Sequence, residues 1–353
     1  MTRCRGAYRA AAMRVLLDTT YARRGPSGTG VYLDAIAGAL RSEGVEILEA
    51  ANGRRRGPAQ GGAGSVRNLA LDAWWTQAEL PRRARAAGAD VLHHPLPALA
   101  RRAPCPQVVT VHDLAFERLP DQFSPGFRRW ASFTHRRAAC GAGAVICVSQ
   151  TTRRDVLARW GVDSARIVVA PHGPGQAPRV TPVAPRHFVY VGDDEPRKNL
   201  GLLLAGYARY RAAAGPAALD LVLAGRERGG DGRSAAGVRR DPDPDLPALL
   251  GAAAALVHPA LHEGFGLTAL EAMSAGVPVL AARSPGIAET CAEAALYFDP
   301  HDASGLADEL GALATDSAAR SELARRGRER AAAFSWQAAA RRHIEAYTLA
   351  LSA

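Results

Sequence analysis

His262-Glu263-Gly264-Phe265-Gly266-Leu267-Thr268-Ala269-Leu270-Glu271-Ala272-Met273-Ser274-Ala275-Gly276 runs directly into the apolar stretch Val277 to Ala281. Two glycines around one aromatic residue let a backbone approach a ligand closely. The amphipathic run after them predicts a helix whose first N–H groups have no partner inside the helix, and an anion is stabilised at such a helix start. Gly276, with Pro278 just beyond it, predicts the helix end. With the apolar run Ala255 to His258 before it, the segment reads strand, loop, helix, strand, the repeating unit of a parallel α/β sheet.

Glu263 and Glu271 bracket the loop, so both carboxylates can face one small volume and accept hydrogen bonds from adjacent hydroxyls of a ribose or hexose. Thr268 and Glu271 also have the spacing of a capping box, which needs no ligand. From the residues alone both readings stand.

Working outward, short apolar strands alternate with helical patterns along the whole chain. They are expected near 14–18, 45–49, 90–93, 107–111, 144–148 and 166–170, then anew at 188–192, 220–225, 255–258 and 277–280. That pattern predicts parallel sheets with helices on both faces. A length of 353 residues favours two domains. The segment from Pro171 to Pro185 holds five prolines and two glycines and reads as a linker. The expected division is a disordered extension over 1–12, a first domain over 13–172, a linker over 173–186, a second domain over 187–334, and a last helix over 335–353 with Ser335 as its N-cap.

Composition excludes several classes. Hydrophobic residues make up 48% and charged residues 22%, which is globular rather than disordered. No apolar run reaches the roughly 18 residues of a membrane span. Five cysteines with no C-x-x-C pair indicate neither a zinc site nor a disulfide framework, and reduced cytoplasmic thiols fit best. The charge of +10 is uneven: residues 1–185 hold 26 basic and 13 acidic residues, a net of +13, and 186–353 hold 18 and 21, a net of −3. The arginines are scattered and no nucleic-acid signature accompanies them, so no nucleic-acid partner is expected. An anionic membrane surface or a phosphate-bearing acceptor suits the basic half better.

Further candidates lie at expected strand ends. Gly25-Pro26-Ser27-Gly28-Thr29-Gly30 joins the first strand to a helix over Val31 to Leu40, and Leu33 stands where a dinucleotide fingerprint needs its third glycine. His112 ends the strand 107–111. Pro125 to Cys140 interleaves Phe127, Trp130 and Phe133 with Arg128, Arg129, Arg136 and Arg137. Such a helix can lie in a membrane interface, and the preferred reading is that it packs on its own sheet with solvated arginines. Arg197 and Lys198, the only lysine, stand just before a helix that Asn199 is expected to cap. Two charges and a helix dipole would there converge on a diphosphate. Asp241, Asp243 and Asp245 read as a solvated turn rather than a cation site. His262-Glu263 lacks the second histidine of a zinc protease, and the segment 272–276 is no nucleophile elbow.

Glu263-Gly264-Phe265-Gly266-Leu267 with Glu271-Ala272-Met273, preceded by Arg197-Lys198-Asn199 after the strand ending Tyr190-Val191-Gly192, resembles the family 4 glycosyltransferases of GT-B fold. Gly28-Thr29-Gly30, His112-Asp113-Leu114 and Phe334-Ser335-Trp336 share in the resemblance, which covers nearly the whole chain. It implies two doubly wound Rossmann-like domains facing a central cleft, with the last helix crossing back to the first domain. It also implies a retaining, metal-independent hexosyl transfer, with mannose favoured, from a GDP- or UDP-linked donor to a glycan or lipid-linked acceptor in cell-envelope polysaccharide synthesis. No cofactor is implied. The expected location is the cytoplasm, with possible contact at the inner face of the membrane. By similarity, His112, Arg197, Lys198 and Glu263 are catalytic. Gly28, Gly30, Gly264, Phe265, Gly266, Leu267 and Glu271 bind the donor, Glu271 through its ribose and the amides of Phe265 and Gly266 through sugar or phosphate. Thr268 stands where the family often has proline, and the Arg-, Gly- and Pro-rich stretch 226–247 departs from the family's strand-helix pattern. The alternatives are a nucleotide-sugar epimerase on the same fold and a non-catalytic carbohydrate- or membrane-surface-binding protein.

Overall fold

The computed structural model describes residues 13–22, 27–55, 62–175, 180, 183–226 and 235–353. The expected extension over 1–12, Gly25 and Pro26 of the glycine loop, and parts of the expected linker and of the stretch 226–247 lie outside the described residues.

Every strand joins its neighbour in parallel. β1 (Arg14–Asp18), β2 (Glu46–Ala50), β3 (Val91–His94), β4 (Gln107–Val111), β5 (Ala144–Cys147) and β6 (Ile167–Val169) form a sheet of order β2-β1-β3-β4-β5-β6. β7 (His187–Val191), β8 (Asp220–Ala224), β9 (Val238–Asp241), β10 (Ala253–His258), β11 (Val279–Ala282) and β12 (Leu296–Phe298) form a second of order β12-β11-β10-β7-β8-β9. The inner strands are short, mainly apolar runs, buried on both faces as a helix-covered parallel sheet requires, whereas the edge strands β2, β6, β9 and β12 are partly exposed. In each sheet the strand order reverses beside the first strand, between β1 and β3 and between β7 and β10. Ligands of open α/β sheets bind at the carboxyl ends of such a pair.

The chain divides into two compact units. One holds the described residues up to Glu117 with Ser124–Gly173 and Ser335–Ala353; the other holds Arg118–Phe123 and Pro174–Phe334. The helices of the first unit include α1 (Gly28–Ser42), α2 (Gly62–Trp74) and α3 (Pro125–Gly141). Those of the second include α4 (Leu200–Ala214), α5 (Leu267–Ala275), α6 (Pro285–Cys291), α7 (Ala303–Thr315) and α8 (Ser317–Ala331).

The last helix, α9 (Trp336–Ser352), belongs to the first unit. Ser335 caps it by accepting a 3.1 Å hydrogen bond from the Ala338 amide. Its alanines at 339, 340, 346 and 350 and Tyr347 are buried in one core with Val15, Leu17, Tyr32, Ile36 and Ile146. Small residues bring the helix close to the sheet, and a Cβ at Gly143 would lie 3.0 Å from that of Ala350. A second core, under α4 and α7, joins Phe188, Leu203, Tyr207, Leu221, Val257 and Leu306.

Several local expectations are corrected. Gly28 and Gly30 are not loop residues: Ser27 caps the helix, its Oγ accepting a 3.1 Å bond from the Gly30 amide, so both glycines form the first turn of α1. β9 and β12 are strands beyond those expected. β9 is an edge strand with one apolar residue, and β12 is an edge of three residues. The stretch 241–245 is a bend in which Asp243 and Asp245 are exposed, as expected, but its ends are structured: Asp241 ends β9 and Asp245 caps the helix Leu246–Gly251. The preferred packing of the helix 125–140 fails at its aromatics. Only alanines, at 131, 138 and 139, are buried in α3, whereas Phe127, Trp130 and Phe133 are exposed.

Candidate active site

In the second unit the chemistry gathers where β7 and β10 end. After Gly192, a 3-10 turn over Pro196–Lys198 leads into Asn199, which adopts the left-handed conformation at φ 57°. The Asn199 side chain makes no cap. It donates instead to the Pro300 carbonyl at 2.9 Å, so the expected capping role is replaced by a tie across to the chain after β12. The Leu261 amide donates to the Arg197 carbonyl at 2.9 Å and fixes the turn against the loop after β10.

That backbone contact brings three expected catalytic residues together. Glu263 accepts from the Lys198 ammonium and, at 3.2 Å, from Nη1 of Arg197; Nε of Arg197 donates to Glu195 at 2.9 Å. The two cations therefore converge on Glu263 rather than on the start of α4, where a diphosphate was expected to meet them. Two positive and two negative groups balance within the cluster. Arg197, Lys198 and Glu263 retain side-chain exposures of 20%, 15% and 12%, so one side stays open to a ligand. Burial alone would raise the Glu263 pKa, but the Lys198 and Arg197 charges outweigh it and hold the carboxyl well below its usual range.

His258, the last residue of β10, is a member of the site that sequence reasoning used only as part of a strand. Its Nε2 lies 3.8 Å from the Glu263 carboxylate, and its buried Nδ1 has no partner in another residue. Burial lowers its pKa to about 4 against the pull of Glu263, so the ring is neutral at pH 7. The signal available in the sequence was its place at a strand's carboxyl end beside the switch point.

The loop 262–266 is held from behind. Gly266 has φ 91°, and a Cβ there would lie 2.3 Å from Cδ1 of Ile287; a Cβ on Gly286 of α6 would lie 1.9 Å from the Glu263 carbonyl oxygen. The left-handed φ of Gly266 and the backbone approach at Gly286 each require glycine. Phe265 is buried, its carbonyl accepts from the Thr290 hydroxyl, and its ring meets Phe334 edge-on at 5.7 Å. Arg330 of α8 donates to the carbonyls of Thr290 and Glu289, each at 2.8 Å.

α5 begins at Leu267 with Gly266 as N-cap, and no side-chain cap covers its first-turn N–H groups. Thr268 lies inside the helix, so the capping box is not formed. Glu271 sits one turn in and is buried. Gly264, Phe265, Gly266, Leu267 and Glu271 thus stand on one continuous loop-and-helix start beside the Arg197–Lys198–Glu263 cluster. Such an arrangement offers cations, backbone donors and carboxylates together, the set that binds a phosphorylated polyol.

His112, Gly28 and Gly30 belong to the other unit, at the carboxyl edge of its own sheet. Nε2 of His112 lies 3.0 Å from the Pro95 carbonyl, and Tyr32 of α1 meets the imidazole edge-on at 5.0 Å between centroids. Burial lowers the His112 pKa, outweighing Asp113. Behind it stands a buried network that the sequence did not reveal. The Tyr32 hydroxyl lies 3.0 Å from the Thr110 hydroxyl and 2.9 Å from Nε2 of His343, and the rings of His93 and Tyr347 continue the chain of bonds. Its members come from four segments remote in sequence, so no spacing signalled it. Among the described residues no three His, Cys, Asp or Glu side chains converge as a metal site.

Comparison with known proteins agrees with this geometry. Residues 26–174 match the model of Glycosyltransferase Family 4 and residues 237–330 that of Glycosyl transferases group 1. The chain is 29% identical over 273 residues to O-antigen chain mannosyltransferase B of Escherichia coli, covering 69% of this chain and 70% of that one. It is 30% identical over 246 residues to an MMP alpha-(1->4)-mannosyltransferase of Mycolicibacterium hassiacum, covering 65% and 60%. Among solved structures, sucrose-phosphate synthase of Thermosynechococcus elongatus superposes with a TM-score of 0.76 at 20% identity over 95% of this chain and 98% of that one. HepE of Anabaena in complex with UDP-glucose gives 0.69 at 17%, over 94% and 98%. Both structures share the two-sheet GT-B fold, and with matches to both models the chain belongs to the group 1 glycosyltransferases of family 4.

Proposed function

We propose that this glycosyltransferase moves a hexose, mannose being favoured, from a GDP- or UDP-linked donor to a glycan or lipid-linked acceptor in cell-envelope polysaccharide synthesis. The convergence of Arg197, Lys198 and Glu263 beside the uncapped start of α5 carries the reading. In transfer, the bond from the anomeric carbon to the diphosphate oxygen breaks and a bond to an acceptor hydroxyl oxygen forms, with loss of that hydroxyl's proton. Negative charge grows on the departing diphosphate, and Arg197, Lys198 and the α5 amides are the groups that stabilise it without a divalent ion. Glu263, ionised throughout the neutral range, accepts from sugar hydroxyls; Glu271 accepts from the ribose diol; the amides of Phe265 and Gly266 donate to sugar or phosphate. His112 and the Gly28–Gly30 turn are retained as substrate-facing groups of the first unit.

Retention of anomeric configuration follows from family membership by analogy. Mannose is supported by the names of the relatives from E. coli and M. hassiacum, an envelope polysaccharide by the O-antigen chain in the name of the first, and a uridine donor by the HepE complex. A cytoplasmic location fits the free cysteines at 105, 140, 147 and 291; among the described residues no helix is long and apolar enough to cross a membrane.

Calorimetric titration with GDP and UDP tests the reading. A transferase of this kind binds at least one of them, and binding weakens in Lys198→Ala. Binding of neither nucleotide would favour the non-catalytic alternative, and a changed sugar released without acceptor would favour the epimerase.

A further inference from the structure

The first unit has an apolar surface that its own core does not use. Val66 and Leu69 of α2 are 67% and 48% exposed, Trp74 is 36% exposed, and Phe127, Trp130 and Phe133 of α3 are 44%, 46% and 67% exposed. Among the described residues, Val183 is the only other exposed large hydrophobic side chain. Leaving six such side chains in water is costly for a monomeric surface, and clustering marks a contact face.

The aromatic residues of α3 and Leu69 of α2 form a continuous set. Phe127, Trp130, Phe133 and Arg137 fall three or four residues apart, on one side of α3. Leu69, Trp130, Phe133 and Arg137 line the same cavity of about 530 Å³, so α2 and α3 share its mouth. The lining is mainly apolar, with Asp18 and His94 at the ends of β1 and β3 among its polar groups, and the buried Nδ1 of His94 has no hydrogen-bond partner. An apolar lining with a few polar groups suits an amphiphile.

Charge decides among occupants. α3 has four arginines and no carboxylate, and Arg67, Arg129 and Arg137 are exposed beside the apolar groups. The one carboxylate of α2, Asp72, is bound by Nε of Arg55 at 2.6 and 2.8 Å. Arginine interleaved with Trp and Phe is the composition of a helix in an anionic lipid interface. Sugar stacking would use the aromatic rings but leaves Val66 and Leu69 without a role.

We propose that the outer face of α2 and α3 docks the first unit on an anionic phospholipid bilayer, with the cavity mouth opening on that interface. This deepens the reading of a lipid-linked acceptor and rests on it, because such an acceptor would be met at the bilayer surface.

Vesicle co-sedimentation with phosphatidylglycerol–phosphatidylcholine and with pure phosphatidylcholine vesicles tests it. Binding is expected to the anionic vesicles only and to fall as salt rises. Arg129→Glu with Arg137→Glu should weaken partitioning by at least roughly 30-fold, from about 1 kcal/mol per lost arginine. Trp130→Ala with Phe133→Ala should weaken it at least about tenfold, given roughly 25 cal/mol per Å² of apolar surface inserted. Both pairs are exposed, so circular dichroism and the thermal midpoint should match the parent. Absence of binding to anionic vesicles overturns the proposal, as does equal binding by the variants. So does a concentration-dependent dimer in sedimentation that Phe133→Ala abolishes without any vesicle affinity. Nucleotide calorimetry on the same samples keeps the two readings apart: vesicle binding with no GDP or UDP affinity would count against the transferase reading and not against the docking face.

Discussion

Replacing Lys198 by Met removes one of the two cations held by Glu263 while keeping much of the side chain's apolar length. The Lys198 side chain is only 15% exposed, so its interaction with a diphosphate is poorly screened. A unit charge about 4 Å from a phosphate at an effective dielectric near 20 contributes about 4 kcal/mol. Because the ammonium is already paired with Glu263 and must share itself with the incoming anion, about half of that is the expected loss, roughly 2 kcal/mol or 30-fold. The full 4 kcal/mol, roughly 1,000-fold, is the upper bound in kcat/KM. The same substitution leaves Glu263 with Arg197 as its remaining strong partner, so its pKa rises. In the parent protein that pKa lies below the ordinary 4.5, and the linked stability is fully present above 4.5 and lost as pH falls below it. The assay is steady-state transfer from pH 4 to 8, with the thermal midpoint at pH 7.5 as the folding control. A kcat/KM within threefold of the parent, in a folded protein, would refute the assignment of Lys198 to the departing diphosphate.

Gly266→Ala should destabilise the second unit by about 1–3 kcal/mol, since its φ of 91° strains any residue with a Cβ and Ile287, 2.3 Å from that Cβ, must shift; differential scanning calorimetry reads this as a lowered midpoint. Acid should weaken the fold well before the carboxylates titrate. Burial lowers the pKa of His258, His343 and His135 to about 4 each, and those of His93, His112 and His172 also fall. The unfolded chain therefore takes up more protons than the folded one as pH falls below 6.5, each such histidine contributing up to about 1.4 kcal/mol per pH unit. Urea unfolding at pH 7.5 and 5.5 should show a clearly lower midpoint at the lower pH, and an unchanged midpoint would contradict the buried neutral histidines.

Much of the fold was legible because parallel strands covered on both faces are uniformly apolar, and Gly, Pro, Ser and Asp mark the helix ends. Ser335 and Gly276 cap where their chemistry says they should. What was missed is what tertiary context decides. Val238-Arg239-Arg240-Asp241 pairs with β8 although its own residues show little strand character. Asn199 is held away from capping by Pro300. The exposed aromatics of α3 have the periodicity of a buried face, and periodicity cannot say whether sheet or solvent lies opposite. At the site, Arg197, Lys198, Glu263 and the glycine loop were each visible, whereas their mutual pairing depends on the Leu261–Arg197 backbone bond. His258 was hidden because a histidine ending an apolar strand looks like any other strand residue.

We assign the Arg197–Lys198–Glu263 cluster and Glu271 to a nucleotide-sugar. A donor screen with mass detection, offering GDP- and UDP-linked hexoses with lipid-linked and free glycan acceptors to the parent protein and to Glu271→Ala, tests this assignment most directly. An acceptor heavier by one hexose is expected from one of these donors, with the product greatly reduced in Glu271→Ala and the fold intact. Transfer that proceeds at the parent rate in Glu271→Ala, or a parent protein that consumes no nucleotide-sugar at all, would contradict it.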